Sequence, residues 1–391
     1  PARPGPRRRD QGRGHPRRAA ADDGNAAPRT GGQDRSPRAR PGEQAAIPVR
    51  HSLARLQTLD LRGHVVKAAA FDYHRPANRA EALDMAGSLD NAKFLAGGQS
   101  LVAMLNMRYA IVDHLIDLNH VSDLAGIEMT GDRLRLGAMT RQRAVKDDTA
   151  LAARAPIFAA ALDYVGHFQT RNRGTVGGSL GHMDPSAELM ALATLMDAEV
   201  EVQSKARTRT LSIADYPMAY MTPAIEMDEM ITGVTFALPA EGHGWGFHEH
   251  AQRHGDFAVC GVAALMELAG GTVSRTAITV FGIGMAPQRA RAAEDLLAGQ
   301  TPGDDLYRAA GDALDDLDYT TDAMASAAYR RRLAGVLPVV VHGGVIAAAM
   351  SLATGAAPFA FLGAENGSVS RLVMDRDKMK VCGYNDVSHL D

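Results

Sequence analysis

The sequence predicts an α+β protein with two globular domains, preceded by an arginine-rich leader and followed by a tail. Up to about residue 239, helical apolar periods alternate with short strand patterns, whereas after residue 243 longer alternating runs predict an antiparallel sheet. The chain has 391 residues, of which 46% are hydrophobic. That length is sufficient for two or three domains that each bury a core.

The leader, residues 1–65, is dominated by Arg, Pro, Gly and Ala and shows no apolar period, so we expect it to be disordered. Its first 50 residues carry twelve arginines and five acidic residues, which leaves about −10 of charge on the rest of the chain. An acidic folded part argues against a nucleic-acid partner. A basic arm that binds a polyanion is the less favoured alternative for the leader.

Two cysteines, Cys260 and Cys382, exclude a disulfide framework, a structural zinc site or an iron–sulfur cluster built from this chain's thiolates alone. A reducing cytoplasm is therefore the expected setting. The N-terminal residues lack a charged segment followed by an apolar one, so we expect no secretory signal.

The first domain is expected to begin near Lys67. Asn78 followed by Glu81 predicts a capping box that opens a helix. "KFLAGGQS", residues 93–100, predicts a short buried strand that runs into a glycine turn. The other elements predicted before residue 239 are strands at His114–Leu118, Arg133–Ala138 and 198–203, and helices at Leu151–Val165 and Ala187–Leu195.

The second domain is expected to contain an antiparallel sheet followed by helices. Its predicted strands lie in the alternating runs 244–251, 262–270 and 272–284. The predicted helices cover Gln288–Leu297, Asp304–Leu317 and Asp322–Leu337. We place the domain boundary between Pro239 and Gly244, which gives domains at 66–241 and 242–337.

The tail, residues 338–391, is apolar at first and then polar, and it suggests no function. Residues 333–364 carry no charged side chain when His342 is neutral, and this length is sufficient to span a membrane. Ala and Gly dominate the run, however, and Pro338 interrupts it. A packed or poorly ordered tail is therefore favoured over a transmembrane segment.

Two similar glycine motifs are the main indication of a binding site. "FLAGGQS" covers residues 94–100 and "TVGGS" covers 175–179. Paired glycines after a strand allow positive φ and let backbone N–H groups converge on an anion such as a diphosphate. Ser100, Ser179 and Thr175 would add hydroxyl donors, so two such loops could hold a dinucleotide from both sides. The alternative is two ordinary turns without a ligand.

Other patterns are weaker. Neither glycine motif has the Rossmann or P-loop spacing, and no metalloprotease or nucleophile-elbow motif is present. Asp184 and Glu188, four residues apart, could cap a helix or accept hydrogen bonds from a ribose or a flavin ring. Arg171 and Arg173 could neutralise phosphate charge or be simply solvated.

Six segments together carry a resemblance to a known family. They are 71–83 ("FDYHRPANRAEAL"), 93–108 ("KFLAGGQSLVAMLNMR"), 134–142 ("LRLGAMTRQ"), 171–189 ("RNRGTVGGSLGHMDPSAEL"), 219–229 ("AYMTPAIEMDE") and 253–268 ("RHGDFAVCGVAALMEL"). Their order resembles that in the FAD-binding medium subunit of the molybdenum hydroxylases, the family of bacterial carbon monoxide dehydrogenase and xanthine dehydrogenase. The similarity runs from Lys67 to Leu337, so the leader and the tail lie outside it.

The resemblance implies which residues bind the cofactor. Both glycine motifs would bind the FAD diphosphate, through Ala96, Gly97, Gly98, Gln99 and Ser100 and through Thr175, Val176, Gly177, Gly178 and Ser179. Asp184 and Glu188 match acidic positions near the flavin and its ribityl chain. Tyr220 resembles an aromatic residue beside the isoalloxazine ring, although Pro223 looks like a one-residue insertion there. The resemblance assigns no catalytic base, nucleophile or metal ligand to this chain.

The family's fold would be a two-lobed PCMH-type (vanillyl-alcohol-oxidase-like) FAD-binding domain, followed by a smaller domain with a three-stranded antiparallel sheet and a helical bundle. A small subunit would carry [2Fe–2S] clusters and a large subunit the molybdopterin cofactor, in a dimer of heterotrimers. Electrons would pass from the clusters to FAD and then to an external acceptor. The complex would be cytoplasmic, or peripheral at the inner face of the membrane.

Two other functions stay open on the sequence alone. The first is a stand-alone FAD-dependent oxidase or dehydrogenase of the vanillyl-alcohol-oxidase type, although no catalytic Tyr, His or Arg group can be identified for it. The second is a non-enzymatic nucleotide-binding module that serves assembly.

Overall fold

The structure is a computed structural model that describes residues 67–335 and, for the backbone alone, 369–375 and 378–386. The two tail segments form an antiparallel pair of strands, Val369–Asp375 and Lys378–Asp386. The leader and most of the run 333–364 lie outside the described residues. In the part of the chain that is described, no helix is long and apolar enough to cross a membrane.

The first sheet has three parallel strands, with β3 in the centre between β1 and β2. Asn78 caps the helix between β1 and β2: its Oδ1 accepts from the Glu81 N–H at 3.0 Å, which confirms the predicted cap. A short helix follows β2 and returns the chain to β3. These elements are β1 (Asp72–His74), α1 (Arg79–Ser88), β2 (Ala92–Leu95), α2 (Leu101–Asn106) and β3 (His114–Asp117).

The second sheet has five antiparallel strands in the order β4-β5-β10-β6-β7. Its central strand comes last in the chain and is buried along most of its length. The strands are β4 (Ile127–Thr130), β5 (Arg133–Gly137), β6 (Glu199–Gln203), β7 (Thr208–Ser212) and β10 (Met230–Ala237). A small hairpin, β8 (Pro217–Ala219) and β9 (Thr222–Pro223), precedes β10.

Six helices connect β5 to β6. They are α3 (Gln142–Asp147), α4 (Thr149–Arg154), α5 (Ile157–Tyr164), α6 (Phe168–Arg173), α7 (Val176–His182) and α8 (Glu188–Leu195). The single helix predicted over Leu151–Val165 is wrong, because Pro156 divides it. Ala155 lies outside the helical region at φ −146° and ψ 72°, as expected for a residue before proline.

The glycine turn predicted for residues 175–179 is also wrong. Thr175 is the N-cap of α7, and Gly177 and Gly178 lie in the first turn of this helix. No strand precedes the motif, because α6 ends at Arg173. The first glycine motif, in contrast, does follow a strand, β2, as predicted.

The C-terminal part contains a third sheet, in the order β11-β12-β13-β14. Three long antiparallel strands match the prediction, and a two-residue strand adds a fourth. The strands are β11 (Gly244–His250), β12 (Cys260–Ala269), β13 (Thr272–Phe281) and β14 (Gln288–Arg289). The helix predicted from Gln288 therefore begins later, at Arg291, because β14 pairs with β13.

The following helices are α9 (Arg291–Leu297) and α10 (Asp304–Asp312), with a further helical segment at 327–335. Two of these begin later than predicted, and α10 ends earlier. After α10 the chain tightens into a 3₁₀ turn, Ala313–Asp316. Asp322, the predicted start of the last helix, instead accepts from the N–H groups of Met324 and Ala325 and pairs with Arg330 at 2.7 Å.

The largest core cluster crosses the predicted domain boundary. It joins Phe158, Leu192 and Phe236 to Trp245 and Leu265 of the third sheet. Helix α8 contacts both β12 and β13, so it packs against the third sheet. The third sheet also covers a second core, shared with α9, α10 and the segment 327–335.

An arginine of the third sheet also binds the C-terminal end of helix α8. Arg289, on β14, donates to the carbonyl oxygens of Thr194 and Leu195 at the C-terminus of α8, each at 3.3 Å. Its guanidinium also pairs with Asp197 at 2.8 Å and with the buried Glu294 at 2.7 Å. The third sheet and α8 are thus linked by ion pairs as well as by apolar packing.

Candidate functional site

The first glycine motif forms a loop between β2 and α2. Gly98 has φ +73°, a conformation that residues with a side chain rarely adopt. Gly97 is buried, and a Cβ there would overlap the Arg173 carbonyl oxygen and lie 2.8 Å from Gly174 Cα. Both glycines are therefore required, one for its dihedral angle and one for a close backbone contact.

The backbone of this loop presents free donors. Among the described residues, the N–H groups of Gly97, Gly98, Gln99 and Ser100 donate to no protein acceptor. Ser100 begins α2, and its hydroxyl makes no capping hydrogen bond. The Gln99 side chain instead donates to the Gly97 carbonyl oxygen at 3.1 Å. Four consecutive N–H groups and one hydroxyl are thus available to an anion, which is the arrangement that the sequence predicts.

The second glycine motif has its donors occupied. Val176 N–H donates to the Thr140 carbonyl at 3.0 Å, and Gly177 N–H donates to the Ala138 carbonyl at 2.7 Å. Gly178 N–H donates to Oγ1 of Thr175 at 3.0 Å. Thr175 is therefore a buried helix cap. The predicted convergence of N–H groups on an anion is not found at this motif, because these groups already have protein acceptors. What this motif still offers is the half-buried hydroxyl of Ser179.

The fold brings the two motifs into direct contact. A Cβ at Gly178 would lie 3.2 Å from the Ala96 Cβ and 3.9 Å from the Gly97 nitrogen. A Cβ at Gly177 would lie 2.6 Å from the Ala138 Cβ. The second pair of glycines is thus explained by close packing on β5 and on the first loop. All ten residues predicted for the diphosphate site lie on these two touching segments.

Arg141 and Asn119, which sequence reasoning missed, connect the two motifs. Arg141 Nη2 donates to Asn119 Oδ1 at 2.6 Å, and Asn119 Nδ2 donates to the Ala96 carbonyl at 2.9 Å. The Nη1 atom of Arg141 donates to the Arg173 carbonyl, next to the second motif. Burial, and to a lesser extent the charge of Arg173, lowers the Arg141 pKa. Although Arg141 lies in the quoted motif "LRLGAMTRQ", no spacing in the sequence marks it.

The two predicted acidic residues flank the start of α8. Asp184 Oδ1 accepts from the Ser186 N–H at 2.8 Å, which is a local cap, so the structural alternative for Asp184 is realised. Glu188 is the first residue of α8 and is half-buried. Burial raises the pKa of Glu188, and the charge of Asp184 adds to this effect. The site therefore places a weakened, half-buried acid at the start of α8.

A second buried carboxyl group, Glu249, lies across from Glu188. Glu249 is 6% exposed, and neither of its carboxyl oxygens has a hydrogen-bond partner in the described part of the chain. Burial raises its pKa, and the nearby Glu188 raises it further. Sequence reasoning missed this residue, yet a signal exists: strand alternation puts Glu249 on the same face of β11 as Trp245 and Phe247.

Tyr220 lies at the tip of the β8–β9 hairpin and is 60% exposed. Partial burial and the nearby charges of Asp184 and Asp322 raise its pKa. Pro223, the suspected insertion, is part of β9.

Arg171 and Arg173 differ in their contacts. Arg171 donates to the Val165 carbonyl at 2.9 Å, so its role is at least partly structural. Arg173 is exposed. Within the described residues, no group of three His, Cys, Asp or Glu side chains could hold a metal ion.

Comparison with known proteins identifies the family. The family model described as "FAD binding domain in molybdopterin dehydrogenase" matches residues 69–239. The model described as "CO dehydrogenase flavoprotein C-terminal domain" matches residues 245–343.

Individual relatives agree with these matches. The nicotine 6-hydroxylase medium subunit of Paenarthrobacter nicotinovorans is 36% identical over 270 residues, which cover 68% of this chain and 94% of that protein. The caffeine dehydrogenase subunit beta of Pseudomonas sp. (strain CBB1) is 32% identical over 289 residues, covering 71% and 98%.

Solved structures give the same result. A chain of carbon monoxide dehydrogenase from Hydrogenophaga pseudoflava, in a form lacking the Mo-pyranopterin moiety of the molybdenum cofactor, superposes with a TM-score of 0.69 at 31% identity. The match covers 72% of this chain and 99% of that one. Both share mixed helix and strand content, as the sequence predicts. This chain therefore belongs to the FAD-binding medium subunits of the molybdenum hydroxylase family, a family of oxidoreductases.

Proposed function

We propose that this chain is the electron-transfer subunit of a molybdenum hydroxylase, which carries FAD and passes electrons from [2Fe–2S] clusters on a partner subunit to an external acceptor. The observation that carries the proposal is the contact between the two glycine motifs. Motifs about 80 residues apart in the sequence pack against each other at Gly178 and Ala96. Within the described residues, one of them also presents four backbone N–H groups that donate to no protein acceptor.

The residues present fit the diphosphate of FAD. Backbone N–H groups of residues 97–100 and the hydroxyls of Ser100 and Ser179 would hold the diphosphate, since oxygen anions are bound well by converging N–H groups. Side chains at Gly97 or Gly178 would separate the two motifs. Thr175 and Val176 would act through the backbone that they fix, because both side chains are buried.

The residues on the acidic side would hold the rest of the cofactor. Asp184 and Glu188 would accept hydrogen bonds from the ribityl chain and the flavin ring, and Tyr220 would cover the ring. Bound FAD supplies the exchange of electrons between one-electron and two-electron carriers. The chain's own contribution is to bind and orient the flavin and to exclude water from it, and no base or nucleophile is needed here.

The proposed fold is the two-lobed PCMH-type domain at 66–241, followed by the smaller domain at 242–337. The parallel first sheet and the antiparallel second sheet would be the two lobes, and each lobe would contribute one of the two glycine motifs that touch at Gly97 and Gly178. The ends of the two family-model matches support this division.

The proposed partners are a small iron–sulfur subunit and a large molybdopterin subunit, in a dimer of heterotrimers in the cytoplasm or at the inner face of the membrane. The relatives support this, since two are named as a medium subunit and a subunit beta. Their names refer to nicotine and caffeine, and the substrate pocket would lie on the large subunit rather than on this chain.

The test is an absorption spectrum of the chain purified alone and after co-expression with the products of neighbouring genes, with the released chromophore identified by mass. The proposal predicts bound FAD in the isolated chain and iron–sulfur absorbance only in the complex. Absence of flavin from both preparations would refute it in favour of a binding module. Oxidation of organic substrates by the isolated chain would refute it in favour of a stand-alone flavoenzyme.

A further inference from the structure

We infer that Arg141 is a latch between the two glycine motifs, which fixes their separation through Asn119 and the Arg173 carbonyl and supplies positive charge for the FAD diphosphate. The inference rests on the proposed function, since it concerns the same site. It assigns a role to two residues outside both motifs.

The latch is a continuous chain of hydrogen bonds. From the first motif, the Ala96 carbonyl accepts from Asn119 Nδ2 at 2.9 Å, and Asn119 Oδ1 accepts from Arg141 Nη2 at 2.6 Å. The other arm of the guanidinium, Nη1, donates to the Arg173 carbonyl. A planar guanidinium holds two such acceptors at a fixed distance, which a lysine cannot do.

The backbone places this guanidinium where the two glycine motifs are in contact. Arg141 pairs with Thr175 in an antiparallel β-bridge, and the Gln142 N–H donates to the Gly174 carbonyl at 2.9 Å. Gly97 packs against the same Arg173–Gly174 peptide. The side chain of Arg141 therefore leaves the backbone at the point where the first loop meets the second motif.

Within the described residues, positive charges exceed negative charges where the two motifs meet. The Arg141 guanidinium donates to Asn119 and to the Arg173 carbonyl rather than to a carboxylate, and the charges of Arg141 and Arg173 are close enough to repel each other. The acidic group that acts on Arg141 is Asp117, whose oxygens already accept from the Tyr73 hydroxyl and from Asn119. A partly buried Arg141, an exposed Arg173 and one occupied carboxylate leave a net positive charge, which suits a diphosphate.

The test compares FAD binding among four variants of the full chain in its complex, after removal of the flavin. Arg141→Ala removes latch and charge, Arg141→Lys keeps only the charge, and Asn119→Ala keeps Arg141 but cuts its link to Ala96. Arg143→Ala is the matched control, because Arg143 lies two residues away and forms an exposed pair with Asp147. The control should bind FAD within about twofold of the wild type.

The expected dissociation constants follow from the bonds lost. Loss of a charge-assisted contact should weaken FAD binding by about 10- to 100-fold in Arg141→Ala. Arg141→Lys and Asn119→Ala should each lose about 3- to 10-fold, since the first keeps the charge and the second keeps the bond from Arg141 to the Arg173 carbonyl. The charge has its own readout: raising NaCl to about 0.5 M should weaken FAD binding to Asn119→Ala as steeply as to the wild type, and to Arg141→Ala less steeply.

Inorganic pyrophosphate provides a second readout that a purely structural role would not change. It should raise the melting temperature of the flavin-free wild type and of Asn119→Ala, and not that of Arg141→Ala. If Arg141→Ala does not fold, the FAD affinities of Arg141→Lys and Asn119→Ala test the inference instead. Affinities equal to the wild type in the folded variants overturn the inference. A wild type that binds no FAD refutes the proposed function itself, so the two failures are distinguishable.

Discussion

Replacing Gly97 by alanine should force the two glycine motifs apart. A Cβ at this position would overlap the Arg173 carbonyl oxygen and lie 2.8 Å from Gly174 Cα. These are backbone atoms, so no flexible side chain can move aside. Gly97 has no positive φ, which means that the cost of the substitution is steric rather than conformational.

The size of the effect can be worked out from this contact. The two segments must separate by about 1 Å to restore ordinary contact, and overpacking of this kind costs about 1–3 kcal/mol. If the two motifs stay in contact, the strain lowers the stability of the flavin-free protein. If they move apart, the strain is relieved, but FAD binding must then bring them together again and becomes weaker. In both cases the FAD-saturated protein should be less stable by about 1–3 kcal/mol, or about 5- to 150-fold in the equilibrium constant.

The assay is urea unfolding of the protein with and without saturating FAD, together with the FAD dissociation constant. Gly87→Ala is the control, because Gly87 is exposed on α1 and nothing lies within 4 Å of its Cβ position. The control should gain about 0.5–1 kcal/mol from helix propensity. Wild-type stability and wild-type FAD affinity in Gly97→Ala would show that the two motifs are not in contact as described.

Three further predictions concern ionisable groups. Burial raises the pKa of Glu249, so the folded state holds a proton that the unfolded chain releases, and stability falls as the pH rises from the unfolded pKa through the folded one. Glu249→Gln should flatten this fall and stabilise the protein at pH 8 by roughly 1–3 kcal/mol, measured by urea unfolding across pH. The hydrogen bonds from Arg209 lower the pKa of Glu229 to about 2, so its contribution is present above the unfolded pKa and lost as the pH falls towards 2. Glu229→Gln should cost about 2–3 kcal/mol at pH 7 and little at pH 2, and equal costs at both pH values would contradict this. Arg289→Ala removes the buried ion-pair partner of Glu294 on α9, leaves it only the exposed Arg291, and should cost about 2–4 kcal/mol, whereas Arg291→Ala, with its side chain 63% exposed, should cost less than about 1 kcal/mol in the same denaturant titration.

Local signals in the sequence were enough for part of the regular elements and for the first glycine motif, but they did not predict β10, the central strand of the second sheet. The cap at Asn78, the strand before Ala96 and the long alternating strands after residue 243 lie where the patterns predict. The wrong predictions occur where a single residue, or pairing with a distant strand, determines the secondary structure. Pro156 divides a helix that apolar spacing alone would continue, and pairing with β13 turns Gln288 and Arg289 into a strand.

For the same reason, the sequence predicted only some of the residues of the candidate site. The motif residues stand out because each motif is a short local pattern of paired glycines followed by a serine, but the reason for Gly177 and Gly178 is their contact with Ala138 and Ala96, which no spacing reveals. Arg141 acts on residues 22 and 32 positions away. Charge networks of this kind have no sequence period. The buried Glu249, in contrast, could have been recognised as an acid on the apolar face of a strand.

The core shared across residues 239–245 bears on how such subunits can be divided or recombined. A chain ended at residue 241 would leave the outer face of α8, including Ala191 and Leu192, without the sheet that covers it. It would also lose the arginine that binds the carbonyls at the end of that helix. Chimeras that exchange the C-terminal part between relatives would have to match this face and its ion pairs. The smallest interchangeable module is therefore the pair of domains, even though two separate family models describe them.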